Sequence, residues 1–457
     1  MMGAALSRWT MASFAAALAF LVGAQALMVA GYGFPAADIR APQTLVVVHM
    51  VTIGWLSLLL CGALFQFVPV LVAKPLLHER LVLPSLLLLL AGLVSLLCGF
   101  LHLSDRAGIA VMLLALAGVL LPAGFALALF VLGATLWSAR PLPLPARFVA
   151  VGLACVAATA AFGSLFSLAL AGFVARPALL DLHAAGVPVH AAAGFGGWLT
   201  FTAVGVSYRL LPMFMLSPDH ERATGRVVLY TGGAALALAV VAAPAEALLA
   251  GTAVAFHVAG ALALVALAAY AADLSHFYRM RKRRVIELNS KSALGAFAGL
   301  YLSAVLLLAL WATGTISAHA GALVYLVAFG WLTGLGLSQL YKIVPFLTWL
   351  ECYGPVMGRK PTPRVQDLVV ERRDSAWFAL YFLGVAAGAG ALLAGAPGLF
   401  RLASAVTLSA TAAIVVELVL VRRLVNVKAA LRLPEGTSRP RLFLPPRTET
   451  ATIGAAR

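Results

Sequence analysis

Residues 49–69 read HMVTIGWLSLLLCGALFQFVP, an apolar run with one ionisable side chain at its start. A helix needs about 20 apolar residues to cross the hydrocarbon core of a membrane, so this run is long enough to span one. Comparable runs recur from Trp9 to Arg423. Because 63% of the 457 residues are hydrophobic and only 11% are charged, an ordinary soluble globular protein is excluded.

The apolar runs predict an all-α polytopic membrane protein with twelve transmembrane helices. Residues 1–423 then form a single membrane domain, followed by a cytoplasmic tail at 424–457. This tail is expected to be a docking arm or a disordered segment beside the lipid. We place the twelve spans at about 9–33, 44–73, 81–103, 107–138, 147–173, 182–216, 224–246, 249–278, 292–316, 317–350, 376–397 and 399–421.

The net charge of +16 reports topology rather than a nucleic-acid surface. Arg209 and Lys342 lie inside spans, and nearly all other basic residues fall on the side of the two termini. We therefore expect both termini in the cytoplasm, a bacterial-type inner membrane, attraction to anionic lipid and no nucleic-acid partner. We interpret the first span as retained rather than as a cleaved signal peptide. The opposite loops carry only Arg40, Arg106, Arg176 and Arg401.

A tetrapeptide recurs three times and divides the chain. Gly54–Ser57 reads GWLS, and 197–200 and 330–333 both read GWLT. Because the tryptophans are about four spans apart, we predict three four-helix pseudo-repeats, at about 1–140, 141–285 and 286–423, with spans 2, 6 and 10 equivalent. Helix packing accounts for the shared residues. Seven residues after each tryptophan is a small residue: Gly62, Gly205 and Ser338. Ten residues after it is an aromatic residue: Phe65, Tyr208 and Tyr341. Fourteen residues after it is a proline: Pro69, Pro212 and Pro345.

The histidines are biased toward one side of the membrane. Three lie at cytoplasmic span ends, where solvated side chains are expected, and the other six belong to the outer half of the spans. An ionisable group inside a membrane usually has a partner or a function, and neutral imidazole is a common haem-iron ligand. Any one alone fits an interhelical hydrogen bond, whereas together they predict a cofactor site. The six are His49, His102, His183, His190, His257 and His319, of which His183 and His190 are expected to share one helix face two turns apart.

The stretch from His49 to Trp55, with Pro69 twenty residues after the histidine, resembles a helix of known haem proteins. In the catalytic subunit of cbb-type haem-copper oxidases, the tenth helix carries a haem-ligating histidine followed at the same spacings by Gly-Trp and a Tyr-x-x-x-Pro ending. The stretch is also similar to the His-x-His helix of the NnrS family of nitric-oxide-responsive membrane proteins. Both families have twelve spans, and the oxidase core arranges four-helix arcs with threefold symmetry.

The resemblance implies one or more b-type haems between spans 2, 6 and 10, with His49, His190 and His319 as iron ligands. His257 and His183 complete the set of candidate cofactor contacts. Two departures matter. Span 7 lacks the histidine pair that binds copper in the oxidases, which makes copper doubtful, and Tyr325 stands where the tenth span of those families has a histidine.

The function implied is a redox, electron-transfer or diatomic-gas role on oxygen or nitric oxide. An enzyme of this kind would be an oxidoreductase similar to cytochrome c oxidase or nitric oxide reductase, served by a cytochrome donor or another respiratory subunit. Two alternatives stay open. A secondary transporter also has twelve spans, although its repeats usually relate two halves. A non-catalytic assembly or haem-handling partner of a respiratory complex is the other.

Overall fold

The computed structural model describes residues 8–103, 108–249 and 253–444, without the side chains of 183–185, 242–244, 246–249 and 253. Twelve helices in these ranges are long and apolar enough to cross a membrane, which confirms the predicted all-α polytopic fold. Spans 1 to 12 run Thr10–Ala30, Pro42–Val72, Glu79–Leu103, Gly108–Ser138, Leu144–Leu170, Val187–Met215, Ala223–Leu249, Ala253–Arg279, Leu288–Ala312, Ile316–Val356, Glu371–Leu393 and Pro397–Arg422.

Spans 2, 6 and 10 pack around a common axis and are joined there by their tryptophans. The Trp55 indole donates to the Thr333 hydroxyl at 2.9 Å, Trp198 donates to Ser57 at 3.0 Å, and Trp331 donates to Thr200 at 3.2 Å. Each acceptor stands two residues after the tryptophan of the neighbouring repeat, so the three bonds close into a cycle. We call this cycle the tryptophan ring.

The glycine before each tryptophan lets a neighbouring helix approach closely. A Cβ added at Gly54 would lie 2.6 Å from Phe20 of span 1, and one at Gly197 would lie 2.3 Å from Cys155 of span 5. In the third repeat, a Cβ on Gly299 of span 9 would lie 2.6 Å from the backbone of Gly330. Spans 1, 5 and 9 therefore pack in the same way against spans 2, 6 and 10.

The α-helices of spans 2, 6 and 10 widen to π-helix at the repeated motif. The π segments are Met50–Ser57, Ala192–Phe201 and Leu326–Thr333. Such segments are rare and often mark functional sites. Each central helix runs from its π segment through the tryptophan ring to the repeated proline. We call the two ends of the bundle the histidine end, which holds His49 and His190, and the proline end.

His183 and His190, expected on one helix, do not lie in one continuous helix. His183 lies in a separate short helix, Pro177–Ala185, and span 6 begins only at Val187. Pro188 stands in the first turn of span 6, where its missing N–H is tolerated, and it cannot donate into a helix arriving from 177–185. The apolar run that predicted one span from 182 therefore contains a helix boundary.

The segment after span 12 packs onto the proline end as far as Arg441. Leu424 and Val427 are buried, and the Tyr353 hydroxyl donates to the Arg432 carbonyl at 2.6 Å. Arg422, itself buried, donates to Glu351 at 2.8 Å and to the Arg441 carbonyl. The described part of the tail thus packs against the membrane domain. Residues 445–457 lie outside the described residues.

Candidate functional site

His49 stands at the junction between the α-helix Pro42–His49 and the π segment that follows it. Its Nδ1 lies 2.8 Å from the Leu45 carbonyl oxygen. A carbonyl only accepts, so Nδ1 carries the proton and Nε2 keeps its lone pair. The half-buried ring tilts against Phe100 of span 3, with 5.4 Å between centroids. His49 therefore points toward span 3.

His190, in the second repeat, has the same tautomer as His49. Its Nδ1 lies 3.1 Å from the Thr159 carbonyl of span 5, and its ring is 5.5 Å from Phe166. Gly163 makes room for this ring, because a Cβ there would lie 3.3 Å from the His190 Cε1 atom. The half-buried imidazole thus fills a notch in span 5 and presents Nε2 rather than Nδ1 to its surroundings.

His49 and His190 lie on neighbouring central helices, spans 2 and 6, and each has Nδ1 at a backbone carbonyl. Their described ring contacts are with Phe100 and Phe166 respectively, and no described ring contact joins the two imidazoles. In the described part of the chain, no hydrogen bond reaches Nε2 of either ring. Two neighbouring imidazoles whose Nδ1–H groups are fixed by backbone carbonyls are the arrangement that second-shell contacts give to metal-ligating histidines.

The other candidates lie elsewhere. His319 is half-buried near the start of span 10, and its backbone N–H bonds to Thr315; among the described contacts, none joins it to His49 or His190. His257 is exposed on span 8 and packs edge-on against exposed Trp311, 5.8 Å away. The side chain of His183 lies outside the described residues. The pair on spans 2 and 6 therefore carries the site.

An apolar cavity of about 80 Å³ opens between spans 1, 2, 6, 10, 11 and 12. Val48, Thr52, Phe195 and Tyr325 are among the residues that line it. We call this space the histidine-end cavity. Neither His49 nor His190 is among its lining residues, so the two rings turn toward spans 3 and 5 and the cavity lies on the other side of span 2.

The pair fits a haem iron better than a metal ion held by the protein alone. Within the described ranges, no three His, Cys, Asp or Glu side chains come together as a metal-binding group. A porphyrin supplies four nitrogens itself, and the iron then needs only one or two axial side chains. His49, packed against Phe100, and His190, packed against Phe166, are the candidate axial ligands among the described histidines.

Buried tyrosine–aspartate contacts at the proline end were missed by sequence reasoning. The Tyr208 hydroxyl donates to Asp273 at 2.7 Å, and the Tyr341 hydroxyl donates to Asp374 at 2.5 Å. Arg222 also donates to Asp273, at 2.5 Å. The aromatic residue repeated ten positions after each tryptophan was the available signal for these contacts. Its aspartate partners, however, lie on spans 8 and 11, which are not equivalent helices of the repeat.

The two basic residues predicted inside spans are both paired: Lys342 bonds to Glu287 at 2.5 Å, and Arg209, which is partly exposed, pairs with Asp219. Glu417 of span 12 pairs with Arg373. These charged groups are thus neutralised at the proline end. No family model and no curated protein matches the chain. Its function therefore has to be inferred from the histidine pair and its surroundings.

Proposed function

We propose that the chain is a membrane-embedded b-type haem protein with a redox, electron-transfer or diatomic-gas role, and that His49 and His190 hold the haem iron. One observation carries this proposal. The two neighbouring imidazoles each donate Nδ1–H to a backbone carbonyl, at 2.8 and 3.1 Å, and so both direct an Nε2 lone pair away from that bond.

A purely structural role explains this pair less well. An imidazole that only bridges helices can use both ring nitrogens in hydrogen bonds, one as donor and one as acceptor. Here the Nδ1 contacts of His49 and His190 are made to carbonyls, and no described residue bonds to either Nε2. Coordination to iron would satisfy both atoms at once.

When bound, the haem supplies one-electron chemistry or a binding position for a small gas. The protein contributes orientation and exclusion of water. The Leu45 and Thr159 carbonyls fix the two rings and make Nε2 more basic. Phe100 and Phe166 cover the rings with apolar surface. Two axial histidines would favour electron transfer, and a single one would leave the iron open to oxygen or nitric oxide.

The proposal includes the orientation of the chain in the membrane and the partners that it would meet there. Basic residues concentrate in the loops at the proline end, so that end faces the cytoplasm of a bacterial-type inner membrane, with both termini there. The histidine pair then lies in the outer half, within reach of a cytochrome or another respiratory subunit on the outer side. Membrane lipid covers the exposed apolar surfaces of the outer spans.

Reduced-minus-oxidised absorption spectra of the purified full chain, expressed with ample haem, test the proposal. We expect a b-type signal that falls severalfold in His49→Ala and in His190→Ala, because each loses an axial ligand. His220→Ala is the matched control, since His220 is exposed at the proline end. A chain without haem, or a signal of equal size in all four proteins, contradicts the proposal. The first result would favour the transporter alternative.

A further inference from the structure

The three central helices enclose a second cavity on the proline side of the tryptophan ring. Its volume is about 110 Å³ and it is partly open, so it has room for a small group or for part of a larger molecule. All three repeats contribute equivalent positions to its wall. The residue after each tryptophan, a leucine in every case, is one of them: Leu56, Leu199 and Leu332. We call this space the axial cavity.

The wall of the axial cavity carries no charged side chain and no histidine. A charged ligand buried there would lack a counter-ion and would be strongly disfavoured. Haem does not fit, because its iron would find no imidazole. Water does not fit either, since cavities with aliphatic walls stay dry. The wall therefore selects an uncharged and mainly apolar occupant.

One polar group breaks the threefold symmetry of the wall. Eight residues after each tryptophan stand Ala63, Val206 and Gln339. The Gln339 side-chain oxygen is buried and accepts no hydrogen bond from any described group. The other polar lining residue, Ser207, already bonds to the Val204 carbonyl at 2.6 Å and to the Tyr270 hydroxyl at 2.7 Å. The Gln339 side-chain oxygen is thus the one acceptor among the lining residues that has no described hydrogen-bond donor.

We infer that the axial cavity binds an uncharged, membrane-soluble molecule with an aliphatic body and one hydroxyl, which donates a hydrogen bond to the Gln339 oxygen. Such a molecule partitions into the bilayer that surrounds the protein. A hydroxyl can donate to the Gln339 oxygen, whereas an ether of the same size has no hydrogen to donate to it. This site is separate from the haem proposal, since it lies on the other side of the tryptophan ring.

Tryptophan fluorescence gives a local readout of this site. Gly336 lines the cavity, and a Cβ on it would lie 3.1 Å from Trp55 Cζ2, so Trp55 lies directly behind this part of the wall. The probes are bromoundecanol and its methyl ether, titrated into the full chain in phosphatidylcholine nanodiscs, with bromine as quencher. We expect saturable quenching by both and about fivefold tighter binding of the alcohol, from one net hydrogen bond.

Two variants and a control make the test decisive. Gln339→Val copies Val206 of the second repeat and should remove the preference for the alcohol. Ala203→Phe fills the cavity and should abolish saturable quenching, whereas Val119→Phe, on the lipid-exposed face of span 4, should not. Quenching that rises linearly in the unmodified chain overturns the inference, and so does an alcohol preference that survives in Gln339→Val. The haem signal should be unchanged in Gln339→Val, so the two proposals fail separately.

Discussion

At the tryptophan ring, spans 2, 6 and 10 are nearly interchangeable, whereas at the histidine end they differ. Each span gives the ring one indole and one hydroxyl, in the same order around the axis. Six residues before the tryptophan, however, the three spans carry His49, Ala192 and Tyr325. The shared residues hold the helices together, and the residues that differ include the candidate ligand His49.

The difference decides which face of each helix is functional. His49 and His190 turn toward spans 3 and 5, where carbonyl and aromatic partners receive them. Tyr325 turns into the histidine-end cavity on the other side of span 2. A threefold scaffold thus holds a one-sided site, so substitutions at equivalent positions should have unequal effects.

The largest difference in stability between equivalent substitutions is expected at the small residue seven positions after the tryptophan. Ser338 tolerates a side chain, bonding its hydroxyl to the Gly334 carbonyl at 2.7 Å. Gly205→Ser, which copies it, would place Cβ 2.1 Å from Phe148 Cβ, and Phe148 is fully buried. Overpacking of this kind costs about 1–3 kcal/mol or more. We expect a lower unfolding temperature and a smaller yield of monodisperse protein.

Gly133→Ser is the control for this prediction, because a Cβ on Gly133 of span 4 meets no atom within 4 Å. Its unfolding temperature should stay close to that of the unmodified chain. If Gly205→Ser proved as stable as Gly133→Ser, spans 5 and 6 would not pack as closely as the structure shows.

A smaller difference in stability between equivalent substitutions is expected within the tryptophan ring. Thr333 and Trp55 are both fully buried, so Thr333→Val leaves the Trp55 indole N–H without an acceptor, at a cost of about 1–3 kcal/mol. Thr200 is half-buried and its bond from Trp331 is longer, at 3.2 Å. Thr200→Val should therefore cost less. Thermal unfolding of both variants measures the difference, and equal losses would mean that burial does not distinguish the two bonds.

Much of the fold was predictable because lipid imposes length and composition on every span. Apolar runs located the twelve helices to within a few residues. The repeated Gly-Trp pattern also identified the three helices that meet at the axis, since packing in lipid selects small residues at helix contacts. The helix boundary at Gly186 was not predicted. Apolar composition reports that a segment prefers lipid to water, and it does not change where one helix ends and the next begins.

The candidate site was only partly predictable. Depth along a helix follows from residue number, and this placed His49 and His190 on one level. The direction of a ring depends on rotamer and neighbours, so the carbonyls of Leu45 and Thr159 and the notch at Gly163 could not be foreseen. The partner of a buried aspartate such as Asp374 lies on another helix, and sequence spacing does not reveal it.

The smallest expected effect belongs to the loop after span 10, which has no counterpart after spans 2 and 6. The Arg364 guanidinium donates a hydrogen bond to Asp367 and lowers the pKa of that carboxyl, and the Arg364 backbone N–H, at 2.8 Å, adds to it. A carboxyl whose pKa is lower in the folded chain stabilises the fold above its unfolded pKa of about 3.9. This stabilisation is lost as the pH falls through the folded pKa.

Asp367→Asn should therefore lower the unfolding temperature at neutral pH by about 1 °C or less, because both side chains are exposed and water screens the pair. The difference between the variant and the unmodified chain should vanish below about pH 3, where the carboxyl is protonated in both states. It should also shrink in high salt, since salt screens exposed charges. A difference that grew toward low pH would have the wrong sign for a carboxyl with a lowered pKa and would exclude Arg364 as its cause.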